Sequence, residues 1–354
     1  MRENEWLMAN AGPVIRYRTA AELLHETEPA QMERLEEELL STGMVNAWRV
    51  NVVPRFKAYE MHGSKSEAWE NAMGKMYDFG LRRGMASLDR VTAPYIAWLE
   101  EKLSLPEGKR PSRFYLILVA AFLAMTGYSE EETVERVISE RLETIYPFAR
   151  RGDLSDFYIS KEGYRLPKVW RNRPLINPDL SESGVIPSVH DLNGFLHSRS
   201  MMEDPTLRER VETIVGFILT PEYQKLEPGY GILYERETKK YYAAGWSVHL
   251  SGFFGQEVKG RSIDFDRPNL LRLSMLSHSR IARGHPWFRR SIERLKVYED
   301  EDGLLTFPRE WLPNLGTGYL ISGKRMTLEE NKGPRKAMTA ESTFGYLEIT
   351  MKKD

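Results

Sequence analysis

The chain has 354 residues, no cysteine, and 50 basic against 51 acidic side chains. The missing cysteines exclude disulfides, thiolate zinc sites, iron–sulfur clusters and a cysteine nucleophile, and fit a cytoplasmic protein. Near-neutral charge leaves no global field to recruit nucleic acid or an anionic membrane, while 41% apolar residues supply an ordinary core.

The opening MRENEWLMANAG lacks the apolar run of a signal peptide. Residues 13–42 read as two helices, with Pro13 tolerated in a first turn and Val14, Tyr17, Ala20, Ala21 and Leu24 at helical spacing. Residues 66–82 carry Trp69, Met73, Met76 and Phe79 on one stripe. Residues 87–104 repeat the pattern with Val91, Tyr95, Trp98, Leu99 and Leu103. Phe114 to Gly127, FYLILVAAFLAMTG, is too short to span a bilayer and reads as a fully buried core helix, so no membrane insertion is expected. Ser129 is placed to cap the next helix, with Glu132 completing a capping box.

The helical pattern stops at Gly152. Residues 152–188 are rich in Pro, Gly, Asn and Asp and predict short strands and ordered turns across one mouth of the domain. Helices resume at 189–199 and 205–219. Residues 230–250 alternate as a β-hairpin turning near Thr238-Lys239. Helices return at 268–283, 286–299 and 337–351. About a dozen helices without βαβ alternation predict one all-α domain over 1–354. Adjacent helix pairs with a long irregular insertion favour an α/α toroid over a HEAT-like solenoid.

The blocks VIRYRTAAELL (Val14–Leu24), MHGSKSEAWENAMGKMYDFGL (Met61–Leu81), YYAAGWSVHL (Tyr241–Leu250) and ESTFGYLEITMKK (Glu341–Lys353) resemble an uncharacterised bacterial branch of the prenyltransferase and squalene-cyclase repeat superfamily. PWFRRSIERLKVYEDEDGLLTFPREW, Pro286–Trp311, resembles that superfamily's repeat motif, with its Asp-Gly turn at Gly303. The resemblance implies a terpenoid-cyclase-type α/α toroid. The chain departs from the motifs that carry activity. Tyr298 and an acidic run precede the turn, and Leu305 and Phe307 follow it. The nearest echo of an Asp-x-Asp-Asp acid motif is Asp264-Phe265-Asp266.

Candidate chemistry is scattered. His62, Gly63, Ser64 and Lys65 precede a helix start, where backbone N–H groups and Lys65 can hold an anion; alternatively Ser64 or Ser66 only caps the helix. His190 reads as a general acid or base oriented by Asp191, or Asp191 simply caps the following helix. His190/His197 and His278/His285 are each seven apart, too far for one metal ion, and neither a metal nor a cofactor is expected. Tyr230, Tyr234, Tyr241, Tyr242, Trp246 and His249 line the hairpin, either as a stacking surface for a ligand or as its packing face. Asp264, Asp266, Asp300 and Asp302 are candidate acids.

Two functions follow as expectations. One is an enzyme of cyclase, isomerase or lyase type that binds a hydrophobic or cyclic small molecule. Its catalytic candidates are His62, His190, Asp191 and His249, and its substrate-binding candidates are Lys65, Trp69, Tyr241, Tyr242 and Trp246. A glycan lyase or hydrolase would use the same groups. The other is a non-catalytic helical scaffold that binds a partner on a concave face.

Overall fold

The computed structural model describes residues 3–254, 270–312 and 326–352. Its helices, in chain order, begin with α1 (Glu3–Asn10), α2 (Pro13–Arg18), α3 (Pro29–Ser41), α4 (Gly43–Arg49), α5 (Ala58–Met61), α6 (Trp69–Asp78), α7 (Ala86–Ser104), α8 (Arg113–Met125) and α9 (Glu132–Arg151). After a break follow α10 (Pro178–Ser183), α11 (Val189–His197), α12 (Arg199–Glu203), α13 (Pro205–Ile218) and α14 (Pro221–Gln224). The last four are α15 (Leu270–Leu276), α16 (Arg280–Gly284), α17 (Pro286–Lys296) and α18 (Arg335–Thr350). A π-helical turn, Thr19–Leu24, extends α2.

The protein is mostly helical, with one small sheet. Strands β1 (Tyr158–Ile159), β2 (Leu175–Ile176), β3 (Gly231–Glu235) and β4 (Lys240–Ala244) lie in that order. Antiparallel β3 and β4 pair Tyr234 with Tyr241. Parallel β2 and β3 pair Leu175 with Ile232, which ties the irregular segment to the hairpin. Glycine is required at 231, where φ is +115° and a Cβ would lie 2.5 Å from the Pro174 carbonyl oxygen.

The helices that follow one another around the core run in the same direction. His62, just before α6, meets Phe114 at the start of α8, and past their ends the Arg83 N–H donates to the Thr126 carbonyl. Phe114 also meets His190 at the start of α11, and past that pair's ends the Arg199 N–H donates to Ser129 Oγ. His197 closes α11 against His278, just past α15. α15 packs on α18. Glu348 near the end of α18 bonds Arg18 at the end of α2, and Arg18 donates to the Asp78 carbonyl at the end of α6. α7, α9 and α13 return the chain between these helices, and α9 packs against both of the others.

This placement explains why α8 is apolar all round: Leu116 through Met125 are buried between two layers of helix. Ser129 does not cap α9, which instead begins after Glu131; its hydroxyl is used by Arg199. The predicted helix 268–283 breaks at Ser277–Ser279, where Ser279 caps α16 through the Ala282 N–H; its first two residues lie outside the described segments. Among the described residues, no helix is long and apolar enough to cross a membrane.

Candidate functional site

The starts of α6, α8 and α11 converge on a cluster of aromatic rings. Phe114 is its hub. Its ring lies 4.9 Å from His62, 5.5 Å from His190 and 5.0 Å from Trp246. Phe122 lies 6.0 Å from His190 and 5.9 Å from Trp69. His62, Phe114 and Trp246 are half-buried, whereas Trp69 and His190 are fully covered. His62, Trp69, His190 and Trp246 therefore sit together, although they come from three distant parts of the chain.

Local structure positions each group. Ser188 accepts from the Asp191 N–H while Asp191 Oδ2 accepts from the Ser188 N–H, a capping box that sets the first turn of α11 and so the place of His190. The Val189 N–H donates to the Trp246 carbonyl at 2.9 Å, which locks the segment after β4 alongside α11. His62 Nδ1 lies 2.8 Å from Glu70 Oε1, and the same oxygen accepts from the Gly63 N–H at 2.9 Å. A buried carboxylate thus lies against a half-exposed imidazole, a pair able to serve general acid–base catalysis.

Several buried polar atoms here have no hydrogen-bond partner among the described residues: both ring nitrogens of His190, Nε1 of Trp69 and Oε2 of Glu70. Native interiors rarely leave such atoms alone. Burial, with His62 and Arg272 adding to it and Asp191 offsetting part, pushes the His190 imidazolium down to about 3. His190 is therefore a neutral imidazole with one N–H donor and one bare nitrogen. Buried Arg272 bonds the carbonyl of Ser247, next to Trp246, and is near enough to lower His190; desolvation lowers its own guanidinium to about 10, so it remains a cation at neutral pH.

Other candidates lie elsewhere. Asp191 does not orient His190, because its carboxylate is bound by Arg141 and Ser188. Lys65 is exposed. The preceding loop offers no anion cradle at Gly63, whose N–H Glu70 takes, and neither Ser64 nor Ser66 caps α6, whose N-cap is Ala68. Tyr241 packs on Tyr234 on the hairpin, and Tyr242 is 44% exposed. His249 sits in a separate group, between Ser247 Oγ at 2.7 Å and the Leu226 carbonyl at 2.8 Å. Asp300 folds its own turn by accepting from the Asp302 and Leu304 N–H groups, and Asp302 is exposed. Asp264 and Asp266 lie outside the described residues.

Glu70 is the member that sequence reasoning missed. An acidic residue in a first turn reads as a response to the helix dipole, and nothing local marks it as buried against His62.

A second polar cluster lies where the same helices end. His197 Nδ1 lies 2.9 Å from the Asn193 carbonyl, which only accepts, so Nδ1 carries the hydrogen. Its Nε2 then accepts from the Tyr77 hydroxyl at 3.0 Å. Burial lowers His197 to about 4, depresses His278 well below the ordinary histidine range and raises the Tyr77 phenol. Arg18, Glu22, Arg82 and Glu348 pair among themselves beside it. Each cation there has an acidic neighbour, which makes this cluster a structural clasp. Among the described residues, no group of acidic and histidine side chains is arranged to hold a metal ion.

Comparison of the chain with protein-family models, curated proteins and solved structures finds no match.

Proposed function

We propose that this protein is an enzyme that binds a hydrophobic or cyclic small molecule in a chamber between these aromatic rings and transforms it by acid–base chemistry, as a lyase or isomerase. The observation that carries this reading is the His62–Glu70 pair facing, across Phe114, a buried His190 without a partner. His62 is the proton-transfer group, Glu70 its orienting carboxylate, and Trp69 and Trp246 the stacking walls.

The same reading takes the architecture as an α/α toroid of the prenyltransferase and squalene-cyclase type. Its support is the unbroken succession of like-directed neighbours from α2 through α6, α8, α11, α15 and α18 back to α2. Contact between the first and last helices argues against an open solenoid scaffold. The lack of cysteine is in keeping with a cytoplasmic setting.

The test is titration with isoprenoid, polycyclic and oligosaccharide panels, read by tryptophan fluorescence. A ring-bearing ligand should saturate and quench the signal. Trp246→Ala should weaken that ligand, and His62→Gln should abolish its turnover with little change in binding. The reading fails if no ring-bearing molecule binds, or if both variants leave binding and turnover unchanged.

A further inference from the structure

The aromatic walls alone accept either sign of charge, because ring faces are negative and ring edges positive. Three other features all favour negative charge. The N-terminal ends of α6, α8 and α11 converge there, and the start of α8, a helix of 13 residues with no acidic residue in its first turn, presents about half a positive charge. The Arg272 guanidinium is buried in the same neighbourhood. His190, wholly buried at the first turn of α11, holds an N–H that no protein acceptor among the described residues takes.

We propose that the chamber stabilises negative charge developing on a substrate oxygen beside His190, and that its ligand is a cyclic carbonyl compound from which His62 removes the adjacent C–H proton. This rests on the acid–base reading of the chamber given above and selects, within it, an enolate over a carbocation. The C–H bond breaks, its proton passes to the His62 imidazole, and the electron pair forms a C=C bond as the carbonyl π electrons move onto oxygen. The His190 N–H bonds that oxygen, a role a neutral imidazole can fill. Return of the proton to another carbon completes an isomerisation. Expulsion of a leaving group from the neighbouring carbon completes an elimination.

The test compares 2-naphthol, whose ring oxygen mimics an enolate, with the naphthylmethylammonium ion, a cation of similar bulk, by calorimetry on the wild-type protein, His190→Phe and His190→Gln. Wild type should bind naphthol at least about tenfold tighter than the ammonium, the scale of a single hydrogen bond. His190→Phe should keep ring binding and lose the preference, and His190→Gln, which retains a donor, should keep part of it. Tighter binding of the ammonium, or a preference unchanged in His190→Phe, overturns the enolate assignment while leaving the chamber as a ring-binding site. If neither probe binds, the chamber reading itself falls.

Discussion

Arg141 grips Asp191 with two donors at once: Nε lies 2.7 Å from Oδ1 and Nη2 3.2 Å from Oδ2. The third donor, Nη1, reaches the Gly184 carbonyl at 2.7 Å. Both side chains are buried, and the pair joins α9 to the first turn of α11. It therefore holds the helix start that carries His190.

Arg141→Met should accordingly destabilise the protein by about 3–5 kcal/mol, because it strands a buried carboxylate. Denaturant unfolding measures this directly. Arg141→Met combined with Asp191→Ser should recover part of the loss, since the smaller residue brings no charge and retains a hydroxyl for the cap. Equal destabilisation in the double and single variants would refute the assigned role.

His190→Phe should be at least as stable as wild type. It replaces a desolvated, unpartnered imidazole with a ring of the same planar shape, and removing unpartnered buried polar atoms is worth about 1–3 kcal/mol. A rise in melting temperature together with loss of the preference for naphthol over the ammonium is the expected pattern of a site kept for function at a cost in stability.

Tyr77→Phe removes the donor to His197 Nε2 but keeps the ring under Arg82, whose guanidinium lies 4.5 Å from its centroid. The stranded acceptor should cost about 1–3 kcal/mol. An unfolding midpoint equal to that of wild type would show that the bond contributes nothing net.

Stability should fall as pH drops from about 6.5 toward 3. Folded His190 and His197 take up protons only near 3 and 4, and His278 only well below its ordinary value, whereas the unfolded chain takes them up near 6.5. Between those limits the unfolded state binds more protons, so each histidine contributes a loss of up to about 1.4 kcal/mol per pH unit. His278→Leu should flatten the slope. Unfolding midpoints measured across this range that do not shift would contradict the burial of all three.

Gly231→Ala should strain the β2–β3 junction and cost about 1–3 kcal/mol, since the added Cβ meets the Pro174 carbonyl at a left-handed φ. Hydrogen exchange should quicken first at Ile232, whose N–H bonds that same carbonyl.

Local pattern is enough to read most of the helices. The stripe of Trp69, Met73 and Met76 marks α6, the apolar run from Leu116 marks α8, and Pro286 marks the first turn of α17, because helical spacing and caps act within a few residues. The alternation of 230–250 likewise reveals β3 and β4. His62, His190 and Trp246 are legible as candidates because histidine and tryptophan are conspicuous, yet nothing in the chain says that they meet. Glu70 and Phe114 look like an ordinary first-turn acid and a core aromatic. Asp191 next to His190 suggests a partner, but the partner is Arg141, fifty residues upstream. Burial, pairing and the sign of the electrostatic environment come from helices far apart in the chain. Spacing along the chain therefore determined the elements. Only tertiary packing decided which polar atoms found partners and which were left without one.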